Sequence, residues 1–196
     1  MRPKTGLTVL APLLKKPMFT TKEAKALGVS SATLNHYVKI GSLKRVSRGI
    51  YQWINSPSHI GRWGDLVEAI YSTGGTICLV SALVVYDLTE EIPRQHWIGI
   101  RHGTSVKNSA QIKIIRFRNM TLGKTEIELD GAQAPIFDRE RTLIDTFRLL
   151  SRETAIKALR AALSIKGKNR LDLKKLEAYA KRLRFDITPY LLSMTT

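Results

Sequence analysis

The sequence predicts an α+β protein: an N-terminal winged helix-turn-helix in residues 1–56, then a mixed α/β domain in residues 62–196 with a largely antiparallel sheet and C-terminal helices. Three observations predict it. The stretch from Thr20 to Trp53, TTKEAKALGVSSATLNHYVKIGSLKRVSRGIYQW, holds two capped segments of helical periodicity, separated by a glycine and followed by a basic hairpin. In TEIELDGAQAPIF, apolar and polar residues alternate and the chain turns at a glycine. From Asp138 onward, apolar residues recur every three or four positions behind Asp and Ser caps.

Residues 4–16 place Leu7, Leu10, Leu13 and Leu14 at helical spacing, which predicts a helix packing beneath the helix-turn-helix. Pro12 requires either a start near Ala11, with the proline in the first turn, or a kink. Thr20 or Thr21 caps the next helix, with Ala24 and Leu27 on one face and Glu23 in the first turn. Gly28 lets the chain leave. Ser30 caps another helix, which runs to about Ile40, turns Leu34, Val38 and part of Tyr37 toward its predecessor, and stops at Gly41. Beyond it, apolar Leu43, Val46 and Ile50 alternate roughly with Lys44, Arg45, Ser47 and Arg48, and Gly49 makes the bend of a wing. INSPSHIGRW, rich in Ser, Gly and Pro, marks a connector and a boundary near residues 55–61.

In the second domain DLVEAIYSTGG predicts a helix with Leu66, Val67 and Ile70 on one face and Gly74 at its end. Ile77 to Val80 is a short buried run, after which Ser81 is placed to cap a helix bearing Leu83, Val84 and Leu88. His96, Trp97, Ile98 and Ile100 form a strand. Ile112 to Arg118 form another, where adjacent Ile114 and Ile115 imply a bulge or a strand covered on both faces. Ile127 and Leu129 point one way and Glu126, Glu128 and Asp130 the other, and Gly131 turns the chain into AQAPIF. Asp138 caps a helix with Leu143, Ile144, Phe147 and Leu150, and Ser151 caps one with Ile156, Leu159 and Leu163. After KGKNR, Leu173, Leu176, Ala180 and Leu183 mark a last long helix.

Composition allows one large or two small domains, and 43% hydrophobic content is ample for ordinary cores. No run reaches the length of a membrane span, and the N-terminal apolar patch, interrupted by Pro12, lacks the form of a signal peptide. The single cysteine, Cys78, lies in the apolar run TICLV and reads as a packing residue of a cytoplasmic protein. Formal charge is +16, unevenly spread. Residues 1–60 hold 10 basic and 1 acidic residues (+9), residues 61–140 hold 9 and 10 (−1), and residues 141–196 hold 13 and 5 (+8). Two basic ends around a balanced middle point to a polyanionic partner, although RNA-binding and ribosomal proteins share that bias.

Within the helix-turn-helix, the face opposite Leu34 and Val38 carries Ser31, Thr33, Asn35, His36 and Lys39. Asn35, His36 and Ser31 are suited to base edges in a major groove, Thr33 to bases or phosphates, and Lys39, Lys44, Arg45 and Arg48 to the phosphate backbone, with a core position the alternative for His36 and the minor groove the alternative for Arg45 and Arg48. Lys39 also complements the C-terminal end of its helix dipole, and a small helical bundle with solvated cations is the alternative architecture. For Lys174, Lys175, Lys181 and Arg182, a solvated helix face and a binding face are equally open. His36, His59, His96 and His102 are scattered without ligand spacing, so no metal site, cofactor or catalytic set is expected. The enzyme class to weigh is a Mg²⁺ nuclease built on Asp87, Glu126 and Glu128, although the last two also read as the solvent face of a strand. Trp53, Trp63 and Trp97 read as core or domain-interface residues.

The order of motifs resembles the AbiEi family, antitoxins of bacterial type IV toxin-antitoxin operons whose toxin is an AbiEii-type nucleotidyltransferase. The likeness rests on GVSSATLNHYVKIGSLKRVSRGIY, ICLVSALVVYDLTEEIPRQHWIGI and IELDGAQAPIFDRERTLIDTFR, and so spans most of the chain. It implies an N-terminal DNA-binding domain that represses its own operon at inverted repeats and a C-terminal domain that counteracts the toxin, with or without a stable complex, as a phage-defence system in the cytoplasm. Only the recognition helix and wing carry over residue by residue. A regulator without antitoxin activity and a non-repressing RNA-binding or structural protein remain alternatives.

Overall fold

The computed structural model describes residues 6–54, 61–106 and 109–195. The expected connector falls largely, and His59 wholly, outside these residues. The chain forms two compact units, residues 1–74 with 127–134, and residues 75–126 with 135–196. The first therefore includes the helix after the connector as well as the 1–56 stretch.

In the first unit, α1 (Gly6–Leu14) keeps Pro12 inside it rather than starting near Ala11. α2 (Thr21–Ala26) is capped by Thr20 through a full capping box, in which Glu23 accepts from the Thr20 backbone while its own N–H donates to the Thr20 hydroxyl. Leu27, expected on the buried face with Ala24, is the C-terminal cap and 36% exposed, because the helix ends one residue earlier. α3 (Ser31–Lys39) is capped by Ser30, and β2 (Leu43–Ser47) and β3 (Ile50–Trp53) form the antiparallel hairpin. A two-residue strand that sequence periodicity is too short to reveal, β1 (Phe19–Thr20), pairs with β3 and makes the wing three-stranded, β1-β3-β2. Leu10, Phe19, Ala24, Leu34 and Leu43 are almost wholly buried together. The Phe19 ring stacks on Tyr51 at 5.9 Å. α4 (Gly64–Thr73) ends at Gly74, whose φ of +64° is the left-handed stop that glycine supplies.

The five-stranded sheet has the order β6-β5-β4-β8-β7, where β4 is Thr76–Ile77, β5 His96–Arg101, β6 Ile112–Phe117, β7 Lys124–Leu129 and β8 Ala132–Phe137. It is mixed: β4 and β5 are antiparallel, but β4 pairs with β8 and β5 with β6 in parallel. Ile114 and Ile115 form no bulge; they sit in unbroken register with Ile98 and Gly99. Asp130 and Gly131, with φ of +47° and +78°, are a two-residue turn of the primed type that suits hairpin twist.

In the second unit, α5 (Leu79–Val85) begins two residues before Ser81, so Ser81 does not cap it. Its hydroxyl instead accepts from the Trp97 backbone at 2.8 Å and ties the helix to β5. α6 (Arg139–Leu149) and α7 (Arg152–Ser164) start at Asp138 and Ser151 as expected. α8 (Leu173–Arg182) is not the last helix, since α9 (Thr188–Thr195) follows and lays Tyr190 against Phe147 at 4.5 Å. α6 is buried from Glu140 to Phe147 on all sides, its polar residues included. Arg141 is 1% exposed: its Nε donates to Asp145 at 2.5 Å and its two terminal nitrogens to the carbonyls of Leu122 and Asn119 at 3.1 and 3.2 Å. Burial is affordable there because the guanidinium's hydrogen bonds are met by a carboxylate and two carbonyls.

Candidate nucleic-acid interface

α3 owes its orientation to Leu34 and Tyr37, which are 0% and 8% exposed. At about 100° per residue, the opposite face is Ala32, Asn35, His36 and Lys39, and all four are exposed. Ser31 and Thr33 lie half-buried on its flanks. Thr33 is further committed to the helix start, its N–H donating to the Ser30 hydroxyl at 3.1 Å and the two hydroxyls lying 2.9 Å apart. Of the five expected residues on this helix, three thus form the outward stripe and two border it. Ala32, which polarity alone does not single out in the sequence, sits at mid-stripe, where its small size permits close approach and its methyl can meet a thymine methyl. The His36 ring lies 5.7 Å from that of its chain neighbour Tyr37, at an interplanar angle of 56°.

The wing is held by its tip. Gly49, at φ +81°, offers its carbonyl to the N–H of Thr21 at 2.8 Å and to the Thr21 hydroxyl at 3.2 Å, so the bend is fastened to the first residue of α2. Pairing shifts between Arg45 and Ser47, which leaves Val46 as the extra residue of a bulge. Lys44, Arg45 and Arg48 are all exposed. Lys44 and Arg45 are neighbours in an extended strand and leave it on opposite faces, so they do not converge on one phosphate. On its face Lys44 has the Glu68 carboxyl of α4 as an electrostatic neighbour; burial and Asp65 push the Glu68 carboxyl up, and Lys44 opposes them.

Glu23, the one acidic residue among the first 60, is consumed by the capping box and by Lys16, whose ammonium lies 2.7 Å away. Burial would raise its carboxyl, but the bonds from Lys16 and Thr20 outweigh it and hold the group below its usual range. No carboxylate therefore remains on α3 or the wing to repel an anion. Lys22 and Lys25, exposed on α2, were also missed; Lys22 directly follows the threonine that fastens the wing tip.

In the second unit, Lys175 is turned inward between Asp138 at 3.0 Å and Glu140 at 3.2 Å, while Lys174, Lys181 and Arg182 are exposed. Tyr179 donates to Asp138 at 3.2 Å and completes that structural cluster. Asp87 is exposed at the end of α5, Glu126 and Glu128 are exposed on β7, and among the described residues no three His, Cys, Asp or Glu side chains are grouped to hold a metal ion. Cys78 is 1% exposed, and burial drives its thiol well above its usual range, as befits a packing residue. The tryptophans are half-buried: Trp53 packs on the first unit's core, Trp63 lies under Arg62 at 4.6 Å, and Trp97 lies under Lys113 at 3.8 Å. No described helix is long and apolar enough to cross a membrane.

Residues 10–52 match the family described as transcriptional regulator, AbiEi antitoxin, a span that runs from α1 through the wing. The backbone is similar to the crystal structure of the RV2827C protein from Mycobacterium tuberculosis, with a TM-score of 0.54 and 12% identity over 92% of this chain and 72% of that one. At that identity the likeness shows the fold alone. No curated protein sequence matches the chain.

Proposed function

We propose that this chain, whose residues 10–52 match the AbiEi antitoxin transcriptional regulator family, binds double-stranded promoter DNA at inverted repeats, represses its own operon and counteracts an AbiEii-type nucleotidyltransferase toxin in the cytoplasm. The observation that carries the DNA-binding part is the stripe of Ala32, Asn35, His36 and Lys39 beside an anchored cationic wing, with no carboxylate left on either element. α3 enters the major groove, Asn35 and His36 meet base edges, and Lys39, Lys44, Arg45 and Arg48 hold phosphates, with Ser31 and Thr33 at the edge of the contact. On this reading the chain acts by occupying DNA, not by catalysis.

The test is titration of the chain's own upstream sequence against scrambled DNA at several salt concentrations. Replacing Arg45 or Arg48 by Ala should weaken both DNAs alike and reduce the salt slope by about one unit per lost contact. Wild-type slopes from both variants would remove the wing from the interface. Antitoxin action is tested separately, by co-expression with the nucleotidyltransferase encoded beside it. Growth arrest that this chain fails to relieve would leave a regulator without antitoxin activity.

A further inference from the structure

β6 is the outer strand of its sheet, and among the described residues no strand lies beyond it. The His96 N–H donates to the Gln111 carbonyl at 2.8 Å and the His102 N–H to the Phe117 carbonyl at 2.9 Å. With the parallel register from His96↔Ile112 to Arg101↔Phe117, this turns the backbone groups of residues 111, 113, 115 and 117 toward β5. Those between them face away. The Ile112 N–H is taken by the Ser109 carbonyl at 3.2 Å, which leaves the N–H groups of Ile114 and Arg116 and the carbonyls of Ile112, Ile114 and Arg116 along the open edge.

The charge along this edge has one sign. β6 itself carries Lys113 and Arg116 and no Asp or Glu, and Arg118 follows directly after it. Lys113 and Arg116 are exposed on opposite faces of β6, with the Lys113 ammonium held 3.8 Å from the centre of the Trp97 ring. Two copies of β6 laid edge to edge would bring these cations together, which disfavours self-pairing. An anionic partner meets no such penalty. Nucleic acid backbone offers acceptors but no row of donors for the outward carbonyls, whereas an extended peptide supplies an N–H and a C=O at every second residue.

We infer that β6 is a docking edge for an extended acidic segment of a partner protein, which joins the sheet beside Ile112, Ile114 and Arg116 and sets carboxylates against Lys113 and Arg116. β6 belongs to the second unit and α3 and the wing to the first, so this inference is tested apart from DNA binding.

The test uses the full chain and a fluorescein-labelled peptide, Val-Glu-Glu-Val-Glu-Glu-Val, with carboxylates for both faces. Binding should slow hydrogen exchange at the amides of Ile114 and Arg116, and a lysine version of the peptide should not bind. Ile114→Pro removes an outward donor but none that serves β5, so it should weaken binding about tenfold while leaving the fold intact. Should that variant fail to fold, methylating alternate peptide nitrogens, which keeps charge and removes donors, gives the same loss from the other side. Binding indifferent to N-methylation, protection away from β6, or protection of β6 by an oligothymidylate but not by the acidic peptide would overturn the inference.

Discussion

Asn35 carries an amide that can donate to and accept from one adenine edge at once, and its place in the middle of the exposed stripe of α3 makes it the residue whose loss should be felt at a single base pair. Asn35→Ala should cost about 1 to 3 kcal/mol on the operator and almost nothing on scrambled DNA; anisotropy titrations of both DNAs measure that difference, and an equal loss on both would make Asn35 a phosphate ligand instead. Arg141 behaves in the opposite sense, since its partners are all inside the protein. Asp145→Ala strands a buried guanidinium and should destabilise the second unit by about 3 to 5 kcal/mol, whereas the joint change Arg141→Met with Asp145→Leu should recover much of that loss. Chemical denaturation of the two variants separates a paired charge from mere lost volume. Sequence periodicity exposed the first of these residues and hid the second. A polar residue opposite Leu34 must face out, but Arg141 stands on a helix covered on every side, and nothing local in RERTLIDTFR says so.

At the scale of elements, α2 and the wing are one device, because the carbonyl of Gly49 binds the start of the helix that Thr20 and Glu23 cap. The folded Glu23 carboxyl lies below its unfolded value of about 4.3, so its contribution is fully present above that value and is lost as pH falls through the lower folded value. Thermal stability of the wild type should therefore decline over that acid range more steeply than that of Glu23→Gln, which keeps a side chain able to complete the capping box; parallel slopes would mean that neither Lys16 nor the Thr20 bonds favour the ionised carboxyl. Gly49→Ala should cost about 1 to 2 kcal/mol for a left-handed residue with a side chain, and more if Thr21 cannot yield, since the added carbon would lie 3.3 Å from its hydroxyl. Three caps and one turn were readable because each needs one particular residue type at one position: Ser30, Asp138, Ser151 and the turn at Gly131 all sit where expected, whereas Ser81 caps no helix and Asp130, read as an outward strand residue, belongs to the turn. Strand direction was not readable in that way. The parallel pairing of β5 with β6 depends on which edge a strand reaches, and alternation within a strand carries no such information.

Charge is a property of the whole chain, and at +16 it acts on folding and on binding with opposite sign. Like charges repel more in the compact state than in the expanded one, so low ionic strength should depress thermal stability, and added salt should restore it as the screening length falls to about 8 Å near 0.15 M. Binding through Lys39, Lys44, Arg45 and Arg48 gains instead from counterions released by DNA, a gain that salt abolishes. Four phosphate contacts give a slope of about −3.6, which weakens binding on the order of a hundredfold between 50 and 200 mM salt. Glu68 beside Lys44 should trim that slope toward three contacts, and Glu68→Gln should return it toward four without altering preference for one sequence over another. Melting curves and binding titrations across one salt series test both signs at once. A melting temperature that fell with salt would show that exposed ion pairs such as Lys16 with Glu23 and Lys157 with Glu153, rather than net repulsion, dominate the electrostatics of folding. A slope unchanged by Glu68→Gln would place Lys44 away from the DNA, leaving phosphate contact to the arginines of the wing and to Lys39.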